Sequence, residues 1–252
     1  MENIFQNMNY LKIMSVLFVL FTEQATHLIA QENIGLSSVW EGIGGKSKWE
    51  STRFILFTSQ GNEITKHLSA ERTFLIDKSN GRCRFEGKTI SNYNIVLLFN
   101  YKSKQLDKLY LNGVETKDSK TLTSSHLQEI IGQFFEDAKL LFLPSSFDQA
   151  STTAGAPAQK IINAEKITIF PISSAQLFDG STYSGKITLN ITGQIIQSET
   201  NQNTYIISGY KDVGGGLNLP TVFKNAISPS KDCTFSTVAA FTDMEEGKFT
   251  TL

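Results

Sequence analysis

Histidine and cysteine are scarce here: three His and two Cys in 252 residues. Isolated histidines and two distant cysteines, Cys83 and Cys233, cannot close a typical four-ligand shell, so neither a metal site nor a cofactor is expected. No Gly-x-Ser-x-Gly elbow accompanies His126 and its neighbouring serines, which removes the commonest frame for a nucleophilic serine. The glycine runs Gly44-Gly45 and Gly214-Gly215-Gly216 lack the Gly-x-x-x-x-Gly-Lys context of a phosphate loop and read as turns. A non-enzymatic protein is the expectation. Charge of either sign is also missing in excess, with 23 Lys and Arg against 24 Asp and Glu. Nucleic acid demands a basic surface, so it is excluded as a partner, and Lys102, Lys104 and Lys108 read as a solvated hairpin face. No apolar run reaches the roughly 20 residues that a membrane-spanning helix needs.

What the chain does contain begins with a leader. Lys12 precedes the run from Ile13 to Phe21, broken only by Ser15, and a polar stretch then ends in Leu28-Ile29-Ala30-Gln31. This charged, apolar, small-residue order is that of a secretory signal peptide over residues 1–30, cleaved after Ala30. The protein is therefore expected to be exported and, as mature chain 31–252, to form one soluble domain. Removal of Lys12, Glu2 and Glu23 balances the charge at zero. An oxidising compartment permits a disulfide between Cys83 and Cys233, although only Cα geometry decides it.

The centre of the chain carries the strongest helix signal. Ser125 and Gln128 have capping-box spacing, and Leu127, Ile130, Ile131, Phe134 and Phe135 fall on one stripe of a 3.6-residue helix. The apolar knot Leu140 to Leu143 follows, closed by Pro144 and a Ser/Thr/Ala-rich loop reaching Ala158. Ahead of the strands, Leu36, Val39, Trp40 and Ile43 predict a short helix stopped by Gly44-Gly45.

Elsewhere, runs of apolar, aromatic and β-branched residues alternate with turn signals, which is the texture of consecutive antiparallel strands. Asn80-Gly81 and Asn112-Gly113 predict type I′ hairpins, and six strands precede the central helix. Phe54 to Phe57 and Ile95 to Phe99 are apolar at every position, so both faces of these strands must be covered. Few helices are available to cover so many strands. The economical fold is mainly β: an antiparallel sheet of about eleven strands curled into a half-barrel, with the central helix and loop on its concave face.

Three stretches carry a resemblance. Asp77-Lys78-Ser79-Asn80-Gly81-Arg82-Cys83-Arg84-Phe85-Glu86-Gly87, the helix end Glu136 to Pro144, and Gly209-Tyr210-Lys211-Asp212-Val213-Gly214-Gly215-Gly216-Leu217-Asn218-Leu219-Pro220-Thr221 look like an uncharacterised family of exported proteins. The order of parts resembles the LolA/LolB-like superfamily of periplasmic lipoprotein carriers and receptors. That resemblance implies a monomer in the periplasm of a Gram-negative-type envelope, acting as a carrier or sensor. The ligand implied is a lipid, an acyl chain or a lipoprotein held in an apolar cavity. Candidate lining residues from the strands are Phe54, Leu56, Phe74, Ile76 and Phe85, with Leu97 and Phe99 beyond them. Trp49, Phe134, Leu141 and Phe142 come from the helical parts, and Leu140 to Pro144 would act as a lid. The alternative is a protein-binding or scaffold module of the envelope with no small-molecule ligand.

Overall fold

The computed structural model describes residues 35–116 and 124–252, with backbone alone for 124–126. The leader and the side chain of Ser125 in the capping box lie outside the described residues. Residues 35–252 form one compact unit. Two short helices open it, α1 (Ser38–Gly42) and α2 (Lys46–Ser51). They are separated by Gly44 and Gly45 at φ 93° and 111°, the left-handed stop that their sequence predicts. A Cβ on Gly44 would lie 2.1 Å from the Gly216 carbonyl oxygen, so only glycine fits this approach.

Six strands follow in meander order: β1 (Phe54–Gly61), β2 (Leu68–Asp77), β3 (Arg82–Thr89), β4 (Asn94–Asn100), β5 (Gln105–Leu111) and β6 (Val114–Glu115). After helix α3 (Ser124–Leu141) come β7 (Thr153–Ala154), β8 (Ala158–Ile162), β9 (Glu165–Gln176), β10 (Thr182–Leu189), β11 (Ile195–Glu199) and β12 (Thr204–Ser208). The chain closes with the hairpin β13 (Lys211–Asp212) and β14 (Asn218–Leu219), then β15 (Val222–Asn225) and β16 (Cys233–Phe241). All except β13 and β14 join one 14-stranded antiparallel sheet, more strands than the eleven or so expected. The excess comes from very short elements such as β6 and β7, too brief for an alternating pattern to announce.

Sheet order explains the helix. The first strand β1 pairs with the last strand β16, which leaves β6 at one edge and β7 with β8 along the other. The chain between β6 and β7 must therefore cross from edge to edge, and α3 is that crossing. The Phe134 ring on α3 lies 6.4 Å from Phe57 of β1, 5.3 Å from Phe74 of β2 and 5.7 Å from Phe99 of β4. In a flat sheet β1 and β4 would stand about 14 Å apart. One ring reaches all three strands because the sheet curls around it, as an open half-barrel.

Several local expectations change. Helix α3 starts before Ser125 and continues through Leu141, followed by a 3₁₀ turn at Leu143–Ser146. Leu140 to Pro144 is the buried end of the helix and its stop. Of the two Asn-Gly hairpins expected, Asn112-Gly113 alone has positive φ at both residues, 49° and 84°. At Asn80-Gly81 the left-handed residue is Gly81 alone, because Asp77 organises a longer turn by accepting from the Ser79 and Asn80 backbone N–H groups. Cys83 and Cys233 are both free and buried, with Cys83 on β3 and Cys233 on β16, so the bridge is absent. Burial pushes both thiols well above the ordinary range, which keeps them inert.

Candidate functional site

Strand register sorts the candidate residues by face. Phe57 pairs with Phe74, Phe74 with Phe85 and Phe85 with Leu97, so this row points one way. Ile76, Cys83 and Phe99 form the next row on the same side. This is the concave face, and α3 lays Phe134, Leu141 and Phe142 onto it, all fully buried. Ring contacts run without interruption from Phe85 through Phe74, Phe57 and Phe142 at 5.2 to 6.0 Å. The trough is filled by the chain's own rings.

Phe54 and Leu56 do not belong to this set. Alternation turns them to the convex face, where Phe54 stacks on Phe249 at 5.8 Å and Leu56 packs near Met244. The expectation that β1 is covered on both faces is met by protein twice: α3 on one side, the C-terminal segment ending in the 3₁₀ turn Glu246–Phe249 on the other. A cleft of about 230 Å³ remains there beside Leu75, Phe241 and Met244.

A buried ionic knot ties the helix down. Asp137 accepts from Arg72 Nε and Nη2, both at 2.7 Å, from Ser59 Oγ at 2.7 Å and from Gln133 Nε2 at 3.0 Å. Arg72 spends its other donors on the Ala70 and Gly61 carbonyls. Gln133 Oε1 accepts from the Ile64 N–H, and its amide also donates to Asn62. Burial pushes the Asp137 carboxyl up while Arg72, Ser59 and Gln133 pull it down. The Asp137 carboxylate in turn outweighs burial at Arg72 and keeps the guanidinium charged. Every member is satisfied, which is the condition for tolerating a pair in low dielectric. Neither residue stood among the candidates. The signal was present: Asp137 sits on the stripe of Ile130, Phe134 and Leu141, and Arg72 two residues before Phe74 shares its face.

Trp49 sits at the rim, its ring 5.3 Å from that of Phe142. With Lys78, Tyr101, Lys104, Phe135 and Phe178 it lines an open cleft of about 480 Å³. Phe178 was not anticipated, because it lies in a turn between β9 and β10 where no periodicity marks it. Its ring lies 5.0 Å from Phe142, 6.0 Å from Phe134 and 5.4 Å from Tyr101, so the cleft floor is the end of the core itself. A second, more polar cleft of about 390 Å³ lies at the C-terminal end of α3, between Lys139, Leu143, Tyr183 and Asn203.

Among the described residues no group of His, Cys, Asp and Glu could hold a metal ion, and no helix is long and apolar enough to cross a membrane. The Gly209 to Thr221 stretch is the β13–β14 hairpin, turned at its glycines: the Gly214 N–H donates to Asp212 Oδ1, and the Ala240 N–H donates to the Val213 carbonyl.

No family model matches the chain. No curated protein matches it either. Among solved structures it is similar to a domain from Vibrio parahaemolyticus provisionally described as an outer membrane lipoprotein-sorting protein, at 10% identity and a TM-score of 0.30, covering 85% of this chain and 95% of that one. At that score the likeness adds nothing to the topology. The class of protein is defined by the sheet alone: an open antiparallel half-barrel closed by one crossover helix.

Proposed function

We propose that this chain is an exported, non-enzymatic carrier or sensor that works as a monomer and takes an acyl chain, from a lipid or a lipoprotein, between the curled sheet and α3. One observation carries the reading: the span between the two sheet edges is bridged by a single helix that buries Ile130, Ile131, Phe134 and Leu141 and is tied to the sheet by one buried polar knot. A helix held that way can be lifted as a unit, and the rings beneath it would exchange contact with Phe134 and Phe142 for contact with methylenes. Each buried methylene contributes about 0.8 kcal/mol, so a chain of ordinary length outweighs the loss of a few ring contacts. Purified protein, stripped of lipid and offered lauroyl and palmitoyl chains, is expected to show one-to-one adducts in native mass spectrometry. A protein that never carries or takes up a chain from either source would sink the carrier reading.

A second reading rests on the other edge. Ile161 and Ile162 of β8 are 77% and 50% exposed on a strand paired only with β9 among the described residues, and such an edge can accept a partner strand. An envelope partner would then be lost with Ile161→Lys, while lipid uptake stayed unchanged.

A further inference from the structure

The rim cleft is built from separate parts of the chain. Trp49 lies in α2, Lys78 comes from the β2–β3 turn, Tyr101 to Lys104 from the β4–β5 turn, Phe135 from α3, and Phe178 from the β9–β10 turn. Charge there is one-sided. Lys78 Nζ stands 3.7 Å above the Trp49 ring and Lys104 Nζ 5.4 Å from the Phe135 ring. Lys102 Nζ donates to the Ser79 carbonyl. Among the described residues none of these lysines makes a salt bridge, and Asp179 at the cleft wall is already engaged by Ser181 and by Lys139 at 3.4 Å. Glu50 is the other acidic group near Lys78.

Two features indicate that this arrangement is held at some cost. Lys104 adopts φ 59°, a left-handed conformation that a side chain with a Cβ rarely takes. Lys78 is half-buried without a carboxylate beside it, although a cation leaving water ordinarily acquires one. Positive charge with no salt bridge of its own, Lys78 and Lys102 donating only to the Trp49 and Ser79 carbonyls, is set over aromatic rings at the end of the apolar core and is complementary to one kind of molecule.

We propose that this cleft is the mouth of the trough and selects a long-chain carboxylate, whose head group meets Lys78, Lys102 and Lys104 while its first methylenes lie along Phe178 and Phe135. The proposal rests on the acyl-chain reading above and adds to it the entry point and the ligand's charge. Lysine offers compact point charges suited to a small anionic head, and the rings offer area at little entropic cost.

The test uses the chain from residue 31 and follows quenching of Trp49 fluorescence by a brominated palmitic acid, alongside the matching brominated alcohol. Trp40→Phe leaves Trp49 as the single reporter. The acid is expected to bind about tenfold more tightly than the alcohol, the size of effect that one modest charge-assisted contact provides. Lys102→Gln/Lys104→Gln, both on an exposed turn that leaves the fold intact, should reduce that preference to about threefold or less, and adding Lys78→Gln should abolish it. Equal binding of acid and alcohol by the parent protein, or a preference untouched by the lysine variants, would overturn the proposal while leaving the acyl-chain reading in place. Binding of neither ligand would overturn both. Tight, lysine-dependent binding of a lysophosphatidic acid with none of the carboxylate would replace the head group proposed here.

Discussion

The two faces of the sheet are apolar in the same strands yet are covered in opposite ways. On the concave face an 18-residue helix crosses the whole sheet and is locked by Arg72 and Asp137, both sealed from solvent. On the convex face a short C-terminal segment lies over Phe54 and Leu75 and is held near its end through Glu246, which is 66% exposed, while the Asp77 shared by the same arginines is buried. Arg82 bridges Asp77 to Glu246, and Arg53 joins both acids at 3.1 and 3.8 Å. Arg84 adds bonds to the Lys248 and Thr251 carbonyls. The same demand, to hide an all-apolar strand, is met once by a deep element with a buried lock and once by a strap with a wet one. Attraction between exposed charges is screened by water and salt, so the strap should detach well before the helix does.

The comparison is broken most directly at the buried lock. Asp137→Ala leaves the Arg72 guanidinium without its carboxylate in the core and should cost about 3–5 kcal/mol in urea unfolding. The double variant Arg72→Met/Asp137→Leu should recover most of that loss. If the single variant costs no more than a surface change, the lock is not what holds α3.

Next in size is the pair Phe134→Ala and Phe249→Ala. Removing Phe134 empties the point where rings from three strands meet and should cost about 3–5 kcal/mol. Phe249 covers one edge of a strap that can shift to refill the space, so about 1–2 kcal/mol is expected there. Hydrogen exchange sharpens the contrast: Phe249→Ala should speed exchange around residues 233–241 and leave α3 unchanged.

The smallest effects are those of pH, and on two neighbouring residues stability rises with pH, at Asp77 through the acid range and at Lys78 through the alkaline one. At Asp77 burial opposes the charge, but Arg53, Arg82 and Asn80 outweigh it and hold the carboxyl well below the usual range. Its contribution is present above the ordinary carboxylate value of about 4 and is lost as pH falls through the depressed folded value. At Lys78 burial lowers the pKa to about 8, with Glu50 pulling weakly the other way. The fold then disfavours the ammonium in full below about pH 8, and stability should rise as pH climbs from there toward the ordinary lysine value of about 10.4. Lys78→Met should remove the alkaline rise and Asp77→Asn the acid loss, each read as the slope of unfolding free energy against pH. A bound carboxylate at the rim would oppose the Lys78 effect by restoring its partner.

Much of this molecule was legible before any coordinates. Periodicity in Leu127 to Phe135 announces the helix, turn chemistry announces the meander, and uninterrupted apolar runs at Phe54 to Phe57 and Ile95 to Phe99 announce double coverage. These are local signals, set by residues within one or two turns of each other. The division of the candidate residues was less legible. Phe54 and Leu56 looked like trough residues because alternation tells which side chains share a face, but not which face meets the helix.

By itself, the sequence determined the type of element along most of the chain and the need for cover on both sides of β1 and β4. Tertiary structure decided what those elements enclose. Pairing of β1 with β16 joins the first and last strands of the chain inside the sheet, leaves β6 and β7 at opposite edges, and forces α3 across the concave face. That crossing brings Asp137 to Arg72 across 65 residues of chain, and it brings Phe135 and Phe178 to Trp49 and Lys78 at the rim. Such meetings depend on register and curl, which arise from long-range hydrogen bonding between strands, and no local pattern of residue types encodes them.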